Sequence, residues 1–404
     1  MTRAHAPEEL SFQPLANGKP QPYFDFSPDG LFPITLPASK KNVLVVRDAQ
    51  MVRLVMTDPR FSLARLNPKE DTVTGTGYQS PNGMLRLDVP RIKDIRRRIT
   101  PLFSERRIAP WRAAVEVVAC SLLDRLRDGR QPSDLNAQYF EPLVVQAVAL
   151  SAGITLEESR RLYDFSNRVL VRVEDPEDEA RISEAWRELY HYGGALISDK
   201  AANPDNGLLS KVCAELKGAH FSDDEIVAAL GTILAGFYTP YGILSVCAVE
   251  LFQHPDAVEA CKRAPELWER VTEELMRYKA HFNFFLPRVA TEDIALGCKR
   301  IAAGQVLLPS LHAAATDPKS FPTPNVFSVG RAKYRCNTVF GAGPHFCLGA
   351  ALSRQWLQVS LKCLFTTLPG LRLAQPYDDL EWQAGSISMP KHVSVTWDKK
   401  PTCR

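Results

Sequence analysis

Residues 340–349 read FGAGPHFCLG and run directly into residues 350–365, AALSRQWLQVSLKCLF, a helical pattern that stops at Leu368, Pro369 and Gly370. Cys347 therefore sits where a loop enters a helix N-terminus. Free backbone N–H groups and the positive end of the helix dipole favour a thiolate at such a place, and thiolate is the metal-binding form of cysteine. Gly341 and Gly343 let the loop take positive φ and turn its amides toward the sulfur, while Gly349 lets backbone pass close to a flat ligand. Taken alone, a Gly-x-x-x-Cys is better explained as a buried structural cysteine at a glycine-rich helix entry.

Working outward, the next element the sequence defines is a long helix. Ser222 and Glu225 make a capping box, and the pattern from residue 223 runs to about residue 252, where His254 and Pro255 end it. At ~1.5 Å per residue it spans roughly 45 Å, enough to cross the molecule. It is apolar nearly all round, which predicts burial, and Gly231, Gly236, Thr239, Pro240, Gly242 and Glu250 interrupt it too often for a membrane span. Pro240 cannot donate to the carbonyl of Gly236, so the helix is expected to bend or open there. The hydroxyl of Thr239 either serves a cavity or bonds back to the carbonyl of Ala235 one turn earlier.

From about residue 88 to residue 365, helical patterns alternate with short polar or proline-bearing breaks. Residues 42–47 (NVLVVR) read as a strand with a helix at 48–57 after it, and short strand pairs are expected around 288–306 and 385–397. The fold class is thus mainly α with a minor β component, read as a single large domain over residues 1–404. A net charge of +3 over 404 residues argues against a dedicated nucleic-acid binder. Nine scattered cysteines without a CxxC pair indicate neither a disulfide framework nor a zinc site. The charged, proline-bearing start has no signal-peptide core, so a cytoplasmic chain without a membrane anchor is expected.

Taken whole, the cysteine loop resembles the haem-ligand signature of the cytochrome P-450 family, F-x-x-G-x-H-x-C-x-G, in Phe340, Gly343, His345, Cys347 and Gly349. With average residue usage a chance match has a probability on the order of one in ten thousand or less. The resemblance implies that family's fold, with the long helix over a haem b whose iron takes Cys347 as axial thiolate. It implies His345 as a propionate partner, Phe340 as packing beside the thiolate, and Gly341 and Gly349 as parts of the haem-binding loop. Upstream, residues 88–103 (DVPRIKDIRRRITPLF) resemble the segment in which a histidine and, four positions later, an arginine hold the propionates. Here Arg96 matches the arginine, but Ile92 stands in the histidine position.

Glu274 and Arg277 form an E-x-x-R on a helix, a spacing at which the two side chains meet. Alone the pattern is an ordinary helical ion pair, as at Glu184 and Arg187. In its order before the cysteine loop it resembles the family's structural triad, completed by Arg331, while Arg288 resembles a propionate ligand, a role its planar guanidinium suits. Residues 234–241 (LAGFYTPY) resemble the family's oxygen-side segment A-G-x-[D/E]-T, giving Ala235, Gly236 and Thr239 as matches and Tyr238 in place of the acid. A phenol is a poor proton exchanger near neutral pH, so Thr239 and water are expected to deliver protons while Tyr238 shapes the pocket or contacts substrate. The resemblance places Phe237, Asn283, Phe284, Phe285, Leu286, Ile387 and Met389 around a substrate cavity, and their apolar character points to a hydrophobic or aromatic substrate. Plain core is the commoner fate of such residues.

The function so implied is a monooxygenase acting on a small molecule with dioxygen. Its electrons would come from NAD(P)H through a separate ferredoxin- or flavodoxin-type protein, since this chain has no apparent flavin or nicotinamide segment. Arg96, Arg97, Arg98, Arg106 and Arg107 form either the docking face for that donor or a plain solvated face. A monomer is expected, with neither nucleic-acid nor membrane partners. Peroxide-driven or coupling chemistry, and a non-catalytic haem-binding docking protein, are the alternatives.

Overall fold

Backbone alternation organises the main sheet of this computed structural model, which describes residues 8–11, 14–15, 18–279, 286–332, 338–383 and 388–398. In the strand Asn42–Val46, Val43 and Val45 pack into one apolar cluster with Ile34 and Leu308, while Leu44 and Val46 turn to a second with Leu307 and Ala290. Six strands lie in the order Glu8–Glu9, Leu31–Thr35, Asn42–Val46, Val306–Pro309, Arg288–Ala290 and Phe61–Ser62. Asp48 ends the strand turn and caps the helix Ala49–Thr57, accepting from the amides of Gln50 and Met51 at 2.9 and 3.0 Å.

Strand pairing departs from the sequence expectation in one respect. Met389–Pro390 and Ser394–Thr396 do not pair with each other: the first pairs with Trp382–Gln383, the second with Arg372–Leu373 and Ser133–Asp134. Each short strand finds its partner through tertiary placement, which local alternation cannot report.

Helices make up the rest, around one large apolar cluster. Ala350–Thr367 packs on Glu105–Arg127 and on Pro240–Phe252, and buries Trp356, Leu357, Leu361 and Leu364. The long apolar helix starts at its capping box as Asp223–Gly236, loosens over residues 237–239 and resumes as Pro240–Phe252. By length and composition alone residues 223–252 could cross a membrane, yet the most apolar window is 78% buried inside the molecule. At the break the backbone bonds tighten from i−4 to i−3: the amide of Thr239 reaches Gly236 at 3.3 Å and that of Tyr241 reaches Tyr238 at 3.2 Å. The α-helical bonding is thus interrupted before Pro240, by a tightened turn where the sequence predicts a bend or an opening.

The helix Leu267–Tyr278 brings Glu274 and Arg277 together, with Nε and Nη2 of Arg277 donating to the two carboxylate oxygens at 2.8 and 2.9 Å. Arg331 donates to the same carboxylate at 2.8 Å, and Arg277 also donates to the carbonyls of Ala315 and Pro324. Two guanidinium groups on one buried carboxylate tie this helix to the loop that precedes the cysteine segment.

Candidate active site

The cysteine loop is closed by backbone. The amide of Cys347 donates to the carbonyl of Phe340 at 2.8 Å, and that of Phe346 to Gly343 at 3.0 Å. Gly341 and Gly343 have φ of 74° and 67°, and a Cβ at Gly343 would stand 2.9 Å from the carbonyl oxygen of Met56. The following helix starts at Ala350, so Cys347 lies just before it and receives a hydrogen bond from the amide of Gly349. That geometry does not make a thiolate in the protein alone. Burial raises the Cys347 thiol above its ordinary value, outweighing the lowering by Gly349, Arg96 and Arg354. Ionisation has to come with the metal that replaces the proton.

Above the sulfur lies a cavity of about 280 Å³. Cys347, Phe340, His345 and Gly349 border it on one side and Ala235, Gly236, Phe237 and Thr239 on the other. Gly236 is exposed although Ala235 and Phe237 beside it are buried, and a Cβ added at Gly236 or Gly349 would meet nothing within 4 Å. The space between the two glycines is thus open on both faces. Ile92, fully buried, adds an apolar contact at this wall.

Arg96 and His345 border the cavity, and Arg288 lies behind them, close to His345. Burial holds the Arg96 guanidinium below its ordinary value, opposed by Cys347, and lowers Arg288 to about 9, opposed by Asp88. His345 is lowered to about 3 by burial and then by Arg288 and Arg96, against a hydrogen bond with the backbone of Leu87. Two guanidinium groups that both act on His345, beside a sulfur and a slot between glycines, fit a flat metal complex that carries carboxylates. Haem fits that donor set: Cys347 would hold its iron, and Arg96, Arg288 and His345 its propionates.

On the opposite wall Thr239 donates its hydroxyl to the carbonyl of Gly236 at 2.9 Å, not to Ala235 as the helical alternative had it. Pro240 has no N–H to offer that carbonyl, so the hydroxyl satisfies it. The Oγ1 lone pairs remain available to the cavity.

Tyr238 corrects the expectation that it shapes the pocket or meets substrate. It is buried away from the cavity, its phenol donating to the carbonyl of Ser159 at 2.7 Å and lying 3.1 Å from the Ser159 hydroxyl. Its ring packs edge-on to Tyr163, and burial raises the phenol's pKa further. One residue's rotation on the helix separates it from Phe237 and Thr239, both of which face the cavity. Met389 is likewise core, packed in the large cluster and not at the cavity. Leu286 does border the cavity, whereas Asn283, Phe284, Phe285 and Ile387 lie outside the described residues.

Several lining residues had no motif to announce them. Thr74, Thr76 and Gln79 come from an irregular segment, and only Thr232, one helical turn before Gly236, carried a usable periodic signal. Arg354 was also missed: it pairs with Glu273, and its guanidinium lies 4.5 Å from the centre of the Phe340 ring. Beneath Cys347 a concave surface is lined by Lys93, Arg97, Arg354, Pro344 and Phe346. Arg97, Arg98, Arg106 and Arg107 are exposed, while Arg96 turns inward to the cavity.

Residues 146–369 match the cytochrome P450 family. Nocardicin C N-oxygenase from Nocardia uniformis subsp. tsuyamanensis is 32% identical over 368 residues, 90% of this chain and 92% of that protein. Mycinamicin VIII C21 methyl hydroxylase from Micromonospora griseorubida is 32% identical over 342 residues, 83% and 85% of the two chains. The solved structure of the latter bound to mycinamicin VIII superposes with a TM-score of 0.84, covering 96% of this chain and 100% of that one at 28% identity. Cytochrome P450mel 107F1, described with biaryl coupling reactivity, superposes with a TM-score of 0.85 over 97% and 100% at 25% identity.

Proposed function

This chain belongs to the cytochrome P450 family, whose members here include hydroxylases and an N-oxygenase, and we propose that it is a monooxygenase for a small, largely apolar organic molecule. The observation that carries the reading is the opposition of Cys347 and Thr239 across one cavity with a basic edge. When bound, haem would supply redox-active iron able to activate dioxygen, and Cys347 would hold that iron through its thiolate sulfur. Arg96, Arg288 and His345 orient the group through its carboxylates. Thr239, its proton held by Gly236, accepts a hydrogen bond from cavity water and so holds a proton donor beside the reacting centre. Phe237, Leu286 and Ile243 keep bulk water out.

Electrons come from NAD(P)H through a separate ferredoxin- or flavodoxin-type donor, for which the basic concavity beneath Cys347 offers complementary charge. The chain acts as a soluble cytoplasmic monomer, one domain from end to end. The deciding experiment is optical: dithionite and carbon monoxide should produce the strongly red-shifted Soret band of thiolate-ligated haem in the wild type and not in Cys347→Ala. A Cys347→Ala protein that kept the band would overturn the assignment.

A second reading, peroxide-driven or coupling oxidation, has one observation in its favour. Among the described residues lining the cavity there is no carboxylate, and Tyr238 points away. Efficient turnover on added peroxide alone, with unchanged coupling in Thr239→Ala, would favour it.

A further inference from the structure

Beyond the helix break, a second polar group lines the cavity further along the same helix face. Thr232, Gly236 and Thr239 succeed one another on that face, and all three border the cavity. At ~1.5 Å per residue, Thr232 stands roughly 6 Å from Gly236 and 10 Å from Thr239 along the axis. Around Thr232 a small network is built. Its hydroxyl receives the amide of Met84 at 3.2 Å and has two acceptors, Oε1 of Gln79 at 2.8 Å and, longer, the carbonyl of Ala228 at 3.3 Å. Gln79 is 3% exposed and borders the cavity, with no partner for its carboxamide nitrogen among the described residues.

The segment carrying Gln79 is held in place. The amide of Gly75 donates to Val171 at 2.8 Å, Trp186 Nε1 donates to the carbonyl of Gly75 at 2.7 Å, and Arg86 holds the carbonyl of Gly77 at 2.6 Å. A Cβ at Gly83 would come within 2.6 Å of Gln79 Oε1, so the glycine admits the carboxamide in this pose. With its oxygen engaged by Thr232, Gln79 presents N–H donors to the cavity. Thr74 and Thr76 lie beside it, their hydroxyl oxygens 2.6 Å apart. No lysine or carboxylate borders the cavity among the described residues, and Arg96 belongs to the sulfur end.

We propose that Gln79, oriented by Thr232, is a specificity-determining residue that binds a neutral carbonyl of the substrate, of amide, ester or ketone type. The oxidised atom lies roughly 6–10 Å from that carbonyl, the separation along the helix between Thr232 and the break. Neutrality follows from the site, since a buried carboxylate would meet only uncharged donors there. The inference rests on the haem-thiolate reading and refines its substrate class.

The test is Soret titration of the holoenzyme with N,N-dimethylamides of ω-phenylalkanoic acids and the phenylalkanes of matching length. These amides accept hydrogen bonds and donate none. The wild type should bind the best-fitting amide about tenfold more tightly than its hydrocarbon, as expected where a buried donor is otherwise left unpaired. Gln79→Leu should bring that ratio to near one with hydrocarbon affinity retained. Gln79→Met, close to glutamine in length and volume but without any polar hydrogen, should abolish the preference as well. No amide preference in the wild type, or an unchanged preference in both variants, would overturn the proposal. The carbon monoxide band is recorded for every protein: its presence with no amide preference refutes this inference alone, and its absence from the wild type refutes the reading beneath it.

Discussion

Thr239 and its neighbour Tyr238 show how one position along a helix separates chemistry from packing. The Thr239 hydroxyl replaces the amide that Pro240 lacks, which places its oxygen toward the cavity. Removing it in Thr239→Ala leaves the Gly236 carbonyl to the Thr239 amide at 3.3 Å, so the fold should survive. Product formation should then fall by about 100-fold, the lower end for losing a proton-delivery group, and hydrogen peroxide per NAD(P)H consumed should rise. Thr239→Ser should restore coupling, and a serine variant as uncoupled as alanine would sink the hydroxyl's role. Tyr238→Phe should behave differently. It removes only the second donor to the Ser159 carbonyl, which keeps its partner within the helix Leu156–Val169, so it should cost about 1 kcal/mol in a denaturant melt and leave the peroxide ratio unchanged.

At the scale of elements, the helix Leu267–Tyr278 depends on a carboxylate it cannot leave unpaired. Glu274 and Arg277 are almost wholly buried, with side chains 5% and 1% exposed, and Arg331 closes the set from residues that precede the cysteine loop. Arg277→Ala should destabilise the protein by about 3–5 kcal/mol, because it breaks both bonds of a buried ion pair, leaving Glu274 to Arg331 alone, and releases the carbonyls of Ala315 and Pro324. Arg331→Lys should cost less, since the charge remains while the hydrogen bonds to Pro322, Thr323 and Val326 are lost. Equilibrium unfolding in urea ranks the two, and the reverse order would contradict this division of labour. The paired arginines also explain why an E-x-x-R string was legible here but meaningless at Glu184 and Arg187, an exposed pair on another helix.

For the whole molecule, the basic edge of the cavity couples stability to occupancy. Arg96, Arg288 and His345 are held together while each loses charge stability to burial, a strain that bound carboxylates relieve. Removing haem should therefore lower the thermal midpoint. A thousandfold excess over Kd is worth about 4 kcal/mol, which over a chain of this size is a shift of roughly 5 °C. Arg288→Leu should narrow the gap between loaded and unloaded protein, followed by circular dichroism, because it removes both the repulsion and the anchor. An equal gap in variant and wild type would show that this edge does not serve the anion.

The sequence alone determined the elements whose causes are local. A capping box, a proline without an N–H, and glycines at positive φ act within a few residues, so the helix start at Ser222, the break before Pro240 and the turn into Cys347 could be read in advance. The strand at residues 42–46 with its capped helix was equally legible, because alternation and an aspartate cap are local signals. Tertiary structure decided which faces those elements present. It turned Tyr238 to Ser159 and Met389 into the core, and it raised the Cys347 thiol by burial where a helix terminus promised the opposite. It also carried Gln79, from a segment with no periodicity, onto Thr232, a meeting of residues far apart in the chain that only long-range packing selects.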